Sequence, residues 1–134
     1  MIGIVVVAHG ALADELLRAA EHVVGEMPQA EALAIGPDDD PTERRRDLSD
    51  AVARVDDGAG VVVLTDMFGG TPSNLAISIM EGAKVEVIAG ANLPMLVKLA
   101  QARLKTGLKE SAEAAEEAGK KYIRLASGVL GSTG

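Results

Sequence analysis

Two apolar runs decide the fold: IGIVVVAHG at residues 2–10 and VVVLTDMFGGTPSN at residues 61–74. Each begins with β-branched residues that follow one another without polar interruption, as in a strand buried on both faces. Each then passes into polar residues and glycine, which indicate a loop at the carboxyl end of the strand. The two runs therefore predict two strands of a buried, parallel sheet.

Amphipathic stretches alternate with apolar runs along the rest of the chain. The strands are predicted at Ile2–Val7, Ala30–Ile35, Val61–Thr65, Lys84–Ala89 and Tyr122–Ala126. The helices are predicted at Ala11–Val24, Thr42–Val55, Thr71–Met80, Leu93–Lys105 and Leu108–Lys120. This alternation predicts one α/β domain over residues 1–134, with a doubly wound and mainly parallel sheet in the order 2-1-3-4 and helices on both faces. The last strand can be antiparallel, and residues from about 127 to 134 are expected to form a loose tail.

Composition excludes several classes of function. The 134 residues include no cysteine, so thiol chemistry and disulfides are excluded, and only 1% are aromatic, which leaves little surface for stacking on a flavin or a nucleobase. Net charge is −7, with 14 acidic against 5 basic residues in the first 66 positions, which disfavours nucleic acid as a partner. No apolar run approaches the roughly 20 residues of a membrane span. Without a signal-type start, the chain is expected to be cytoplasmic.

A histidine and an aspartate follow the two apolar runs. Sheets of this class bind ligands outside the carboxyl ends of the strands, where the strand order reverses, and in the order 2-1-3-4 that point lies between strands 1 and 3. His9 and Asp66 stand at those two ends. Neutral imidazole is a nucleophile near neutral pH, and a carboxylate on its other nitrogen would fix the tautomer and stabilise the cation formed during attack.

The loop after strand 3 has the composition of an anion site. Phe68, Gly69 and Gly70 lead into a helix that Thr71 is predicted to cap, and glycine lets backbone N–H groups approach an anion at a helix N-terminus. The hydroxyls of Thr71 and Ser73 could add donors to phosphate oxygens. A tight turn and a cap explain the same residues without a ligand, and a lone histidine after a strand, such as His9, is more often a packed or hydrogen-bonded residue.

Three blocks of sequence carry a family resemblance. They are IVVVAHGALADELL at residues 4–17, VLTDMFGGTPSNLA at residues 63–76 and VIAGANLPMLV at residues 87–97. Together they resemble the mannose-type IIA (EIIA) domain of the bacterial phosphoenolpyruvate:sugar phosphotransferase system (PTS). The resemblance implies that His9 is phosphorylated on Nε2, that Asp66 bonds its other nitrogen, and that Phe68–Ser73 borders the phosphate. It also implies a rim formed by Gly10, Asn92, Pro94 and Met95.

The resemblance further implies partners. The donor would be phospho-HPr, the acceptor would be a separate EIIB subunit, and two copies would form a homodimer that exchanges the C-terminal strand. No metal or cofactor, no nucleic acid and no direct membrane insertion are expected. Because no IIB domain follows in this chain, a regulatory role that reports phosphorylation state is an alternative to sugar uptake.

Other functions remain open at this point. The phosphoryl donor subunit of dihydroxyacetone kinase shares the fold, but its loop after strand 3 is expected to lack the Gly-Gly-Thr-Pro run. A tetrapyrrole metal chelatase also places His-Gly after strand 1, but it needs further ligands, and the other histidine, His22, falls on a polar helix face. A receiver phosphorylated on Asp66 would need an acidic pair for Mg²⁺ where Ala8-His9 stands. A scaffold role is the remaining alternative.

Overall fold

Four parallel strands form one sheet in a computed structural model that describes residues 1–80 and 84–131. The strands are β1 (Gly3–His9), β2 (Ala30–Ile35), β3 (Val61–Thr65) and β4 (Val85–Ala89), in the order β2-β1-β3-β4. The predicted α/β class and strand order are confirmed. The order reverses between β1 and β3, which pair in parallel with Val7 opposite Thr65. His9, the last residue of β1, and Asp66, the residue after β3, therefore lie side by side at the same edge of the sheet.

Helices cover both faces of the sheet, as predicted. They are α1 (Leu12–Val24), α2 (Pro41–Val55), α3 (Thr71–Ser78), α4 (Leu93–Ala102), α5 (Leu108–Lys121) and the short α6 (Ala126–Gly131). One face packs on α1, α4 and α5 through the side chains of Ile4 and Val6, and the other packs on α2 and α3 through Val5 and Val7. This division follows from the alternation of side chains along a strand. β1 is consequently buried on both faces, which is why its sequence is an uninterrupted apolar run.

Two helix starts differ in how they are capped. The side chain of Asp40 accepts a hydrogen bond from the Thr42 N–H at the start of α2. At the start of α3 the predicted cap, Thr71, is wrong: Gly70 is the N-cap, and Thr71 is the first helical residue. The carbonyl of Gly70 already accepts the first helical bond, from the Asn74 N–H at 3.1 Å, so the helix begins one residue earlier than the Thr-Pro pair suggests.

The C-terminal segment departs from the predicted secondary structure. No strand forms at Tyr122–Ala126 in this chain; residues 122–125 lie between helices, and α6 occupies Ala126–Gly131 where a loose tail was predicted. Residues 122–131 are all exposed, so the segment lies on neither the sheet nor the core of its own chain. A strand must pair with a sheet edge, and this segment pairs with neither edge strand, β2 or β4, of its own chain. The tail prediction for residues 132–134 lies outside the described residues.

No helix within residues 1–80 and 84–131 is long and apolar enough to span a membrane.

Candidate functional site

His9 and Asp66 form a hydrogen-bonded pair at the edge where β1 and β3 end. The distance from His9 Nδ1 to Asp66 Oδ2 is 2.8 Å, and the backbone N–H of His9 donates to the same oxygen at 3.1 Å. The His9 side chain is 51% exposed and that of Asp66 only 13%. One carboxylate oxygen therefore fixes both the backbone and the ring of His9, while about half of the side chain stays exposed to solvent.

Asp66 stays ionised under ordinary conditions. Partial burial acts to raise the pKa of its carboxyl, but the hydrogen bonds from the ring and the backbone of His9 outweigh burial, and the net pKa is lowered. An ionised carboxylate can only accept hydrogen bonds, so Nδ1 of His9 must carry a proton. In the neutral ring the lone pair is then on Nε2, which is the nitrogen available to attack an electrophile.

The other oxygen of Asp66 is held by its neighbours along the chain. Oδ1 accepts hydrogen bonds from the Met67 N–H at 3.1 Å and from Thr65 Oγ1 at 3.4 Å. The sequence does not predict these two hydrogen bonds, since its pattern indicates only that Thr65 is a buried strand residue and Met67 a loop residue. They hold the carboxylate in place while it orients His9.

The glycine-rich loop packs directly on the histidine ring. A Cβ built on Gly70 would lie 2.8 Å from His9 Cε1 and 3.1 Å from Nε2, so the ring rests against the bare Cα of Gly70. Gly69 has a φ of 89°, in the left-handed region that favours glycine. Ser73 is fully buried beneath the turn, where its hydroxyl contacts the Gly69 N–H and the Gly70 carbonyl. The shape of the loop thus depends on the two glycines, Gly69 and Gly70, and on the buried hydroxyl of Ser73.

Phe68 and Thr71 lie on the outer side of this loop. Both are exposed, Phe68 by 64%. Thr71 begins α3, and the first N–H groups of a helix have no partner within the helix and favour negative charge. Gly10, with a φ of 59°, turns the chain from His9 toward α1. Exposed residues therefore flank the turn at Gly70 that contacts Cε1 and Nε2 of His9.

The predicted rim residues after β4 contact α5. Asn92 caps α4 by accepting the Met95 N–H at 3.0 Å, and its amide donates to the Gly119 carbonyl at 2.9 Å. Met95 is 4% exposed, and a Cβ on Gly119 would lie 2.7 Å from its methyl group. Pro94 lies in the first turn of α4 and lines a groove on the α4–α5 face. Two features connect this rim to the site: Met95 lines one groove with Phe68, and the Ala91 N–H donates to the carbonyl of Thr65 at 2.9 Å.

The remaining candidates lie elsewhere. His22 is exposed on α1. Within the parts of the chain that the structure describes, no group of three or more His, Asp or Glu side chains is placed to hold a metal ion. The arrangement at the sheet edge is that of a half-exposed histidine whose ring is oriented by a carboxylate.

The fold and the site together define a class of protein: doubly wound α/β domains with a histidine–carboxylate pair where the strand order reverses. A family model described as "PTS system fructose IIA component" matches residues 3–116. The chain therefore belongs to the EIIA family of the sugar phosphotransferase system, and the resemblance found in the sequence is confirmed. The general activity of this family is that of a phosphotransferase.

Individual relatives agree with the family match. The chain is 36% identical over 103 residues to the mannose-specific EIIAB component of Escherichia coli K12, covering 76% of this chain and 32% of the relative. It is 33% identical over 101 residues to the sorbose-specific EIIA component of Lacticaseibacillus casei, covering 72% and 70% of the two chains. The chain thus spans about a third of the length of the E. coli protein but most of the freestanding EIIA component.

Solved structures of EIIA proteins share the whole fold. The phosphotransferase system EIIA component of Streptococcus agalactiae has a TM-score of 0.87 at 26% identity, covering 96% of this chain and 99% of that one. The PTS IIA protein associated with a fucose utilization operon in Streptococcus pneumoniae has a TM-score of 0.82 at 29% identity, covering 98% and 96% of the two chains.

Proposed function

We propose that the chain is a phosphoryl carrier that takes a phosphoryl group onto Nε2 of His9 from phospho-HPr and passes it to a separate EIIB subunit. The observation that carries the proposal is the 2.8 Å bond between His9 Nδ1 and Asp66, which leaves the lone pair on Nε2 of a half-exposed ring. Membership in the EIIA family supplies the reaction class.

The transfer step needs no group beyond those at the site. Nε2 of His9 attacks the phosphorus of the donor's phosphohistidine, the P–N bond to the donor breaks, and its electron pair returns to the donor nitrogen. The phosphorylated His9 ring keeps its proton on Nδ1 and is cationic. Asp66 stabilises this cation because its carboxylate remains ionised and hydrogen-bonded to that proton. The N-terminus of α3 favours the new negative charge, because its N-cap residue, Gly70, packs against Nε2 of His9. The hydroxyl of Thr71, the first residue of that helix, would add a donor to a phosphoryl oxygen.

Release to an acceptor is the same step in reverse. The cationic phosphoimidazole is a good leaving group, so a nucleophile on EIIB can take the phosphoryl group and return His9 to its neutral form. The exposed position of His9 suits two partners that dock in turn on the same edge. Relatives of this chain are named for mannose, sorbose and fructose. We infer that the EIIB partner, and not this chain, determines which sugar is taken up.

The test is phosphoryl transfer in vitro from phosphoenolpyruvate through the general phosphotransferase proteins. Wild type is expected to gain an acid-labile, base-stable label and His9→Ala is expected to gain none. His22→Ala removes the chain's other histidine and is the matched control, which should label like wild type. An unlabelled wild type with active donor proteins, or a labelled His9→Ala, would contradict the proposal.

The protein that accepts the phosphoryl group from His9 distinguishes the three functional alternatives: sugar uptake, donation to dihydroxyacetone kinase and regulation. Labelled protein is incubated with EIIB subunits and, separately, with dihydroxyacetone kinase. Loss of label to an EIIB supports the sugar-uptake role, and loss to the kinase supports the donor-subunit alternative. Retention of label with both acceptors favours a regulatory role, in which the phosphorylated form is itself the signal.

We also propose that the chain acts as a homodimer in which the C-terminal segment of one copy pairs with β4 of the other. β4 is an edge strand, and beside it lies a groove of about 630 Å³ lined in part by Phe68, Ile88 and Met95. The segment after α5 exposes Tyr122, Ile123 and Leu125, which are 59%, 75% and 78% accessible. An open edge and an exposed apolar segment in one chain fit strand exchange between copies.

Solution mass measured by light scattering tests the dimer. Leu125→Asp should shift the protein toward monomer because it places a charge in the exchanged segment. Leu104→Asp alters a side chain of similar exposure (66%) at the end of α4 and should leave the dimer intact. A wild type that is monomeric at all concentrations would refute the exchange.

A further inference from the structure

Ser73 lies under the glycine turn, and its hydroxyl proton is committed to the protein. The side chain is fully buried, and Oγ is 3.0 Å from both the Gly69 nitrogen and the Gly70 carbonyl oxygen. The Gly69 N–H can only donate and the carbonyl can only accept, so the hydroxyl accepts from one and donates to the other. Its single proton is therefore not available to a phosphoryl oxygen.

The turn that Ser73 fixes lies against the reactive edge of His9. Gly70 is so close that an added Cβ would come within 2.8 Å of Cε1 and 3.1 Å of Nε2, a separation at which one of the two groups must move. The ring is thus held on both sides, by Asp66 at Nδ1 and by the bare Gly70 Cα at the Cε1–Nε2 edge. The space that a Cβ would fill is also the space beside the attacking nitrogen.

We propose that Ser73 is a positioning residue, an inference that rests on the phosphoryl-carrier function proposed above. Its buried hydroxyl holds Gly69 and Gly70 so that the Gly70 Cα sets the angle of the His9 ring and keeps the volume next to Nε2 open for the incoming phosphoryl group. Ser73 acts through Gly70 on His9 and does not touch the phosphoryl group itself. This differs from the role as phosphate ligand predicted from the sequence.

The experiment reads the histidine ring before any phosphate is present. In ¹⁵N-labelled, unphosphorylated protein, two-bond ring correlations report the tautomer and the environment of both His9 nitrogens. Ser73→Ala is expected to shift and broaden the His9 ring signals, because the loosened turn no longer limits the ring. It should also slow transfer from phospho-HPr by about 10- to 100-fold, the usual cost of a small misplacement of a reacting group.

A matched control separates positioning from general loss of stability. Ser111 on α5 is also fully buried, and its hydroxyl lies 2.8 Å from Thr106 Oγ1 and 3.4 Å from the Thr106 carbonyl oxygen. Ser111→Ala removes an equally buried hydroxyl away from the site. It should leave the His9 ring signals and the transfer rate at their wild-type values.

Gly70→Ala tests the same contact from the other side and keeps the serine. The half-exposed ring can move away from the new methyl group, so the variant is expected to fold and to shift the His9 ring signals in the way Ser73→Ala does. It provides the test if Ser73→Ala fails to fold. In the double variant the losses of rate should not add, because both act through one contact.

Two results would overturn the inference. Unchanged His9 ring signals in Ser73→Ala, together with faster hydrolysis of its phosphohistidine, would make Ser73 a direct phosphate ligand. Unchanged ring signals and an unchanged rate would give it no part in the site. If the wild type accepts no phosphoryl group at all, the proposed function fails, and the ring signals still decide whether Ser73 positions His9.

Discussion

Replacing the Asp66 carboxylate by an amide perturbs the site with little change in shape. Asp66→Asn keeps an oxygen that can accept from the His9 ring but removes the charge that opposes the developing imidazolium. At the observed 2.8 Å, a full charge pair is worth about 1.5 kcal/mol at the dielectric constant of water and about 6 kcal/mol at an effective value of 20. His9 is half exposed, so the effective value lies toward the aqueous end and the loss is about 2–3 kcal/mol.

A loss of this size in the transition state corresponds to a rate about 30- to 150-fold slower, at 1.36 kcal/mol per factor of ten. The assay is single-turnover transfer from phospho-HPr, followed by rapid quenching in base. Asp50→Asn removes a carboxylate from the exposed face of α2 and should transfer like wild type. Far-ultraviolet circular dichroism should show that both variants are folded. A folded Asp66→Asn that transfers within twofold of wild type would refute the orienting and electrostatic role of Asp66.

Three predictions concern stability, each measured by urea unfolding. The folded-state pKa of Asp66 lies below its ordinary value of 3.8, so its contribution to stability is complete above about pH 5, where the carboxyl is ionised in both states. The contribution is lost as pH falls through 3.8 and the lowered pKa, so the stability gap between wild type and Asp66→Asn should be smaller at about pH 3 than at about pH 7. A constant gap would contradict the linkage. Arg103 is 4% exposed and donates to the carbonyls of Ile2, Pro28 and Gln29, so Arg103→Met should lower the free energy of unfolding by about 1–3 kcal/mol. An unchanged urea midpoint would mean that relief of charge burial offsets the lost hydrogen bonds. A Cβ on Gly3 would lie 2.5 Å from the Val55 carbonyl oxygen, so Gly3→Ala should lower the free energy of unfolding by about 1–3 kcal/mol. A Cβ on Gly107 would have no atom within 4 Å, so Gly107→Ala should change it little. Equal effects of the two substitutions would contradict the packing argument.

The sheet and the central pair could be predicted because local patterns determine them. An uninterrupted β-branched run is compatible with few environments, and two such runs define strands covered on both faces. The strand order then places the next polar residues, His9 and Asp66, at one edge without any knowledge of side-chain contacts. The distance between them, and the choice of Nδ1 as the bonded nitrogen, depend on rotamers that the sequence does not specify.

The roles of the loop residues could not be assigned in the same way. A serine in the first turn of a helix can face a ligand or lie under the turn, and burial of Ser73 is set by packing of α3 on the sheet. Likewise, the family motif predicts Asn92 and Met95 as part of the rim of the site. In the structure both contact Gly119 on α5, a helix that follows later in the chain. Contacts between distant segments decide such cases.

The C-terminal segment illustrates a different limit. Its β-branched and aromatic residues suggest a strand, but a strand forms only by pairing with a sheet edge, and the segment pairs with neither edge of its own sheet. In a single copy, Tyr122 and Leu125 remain exposed and the following residues become helical. In the proposed exchange between copies, the segment pairs instead with the β4 edge of the other copy.

The most direct test of the account is to locate the phosphoryl group on the protein. After transfer from phospho-HPr, the account predicts one added phosphoryl group per chain, and ³¹P and ¹⁵N ring spectra that place it on Nε2 of His9 with the Nδ1 proton retained. A phosphoryl group on Nδ1 of His9, on His22 or on Asp66 would contradict the account, because the 2.8 Å bond from Asp66 to Nδ1 assigns the attack to the other nitrogen.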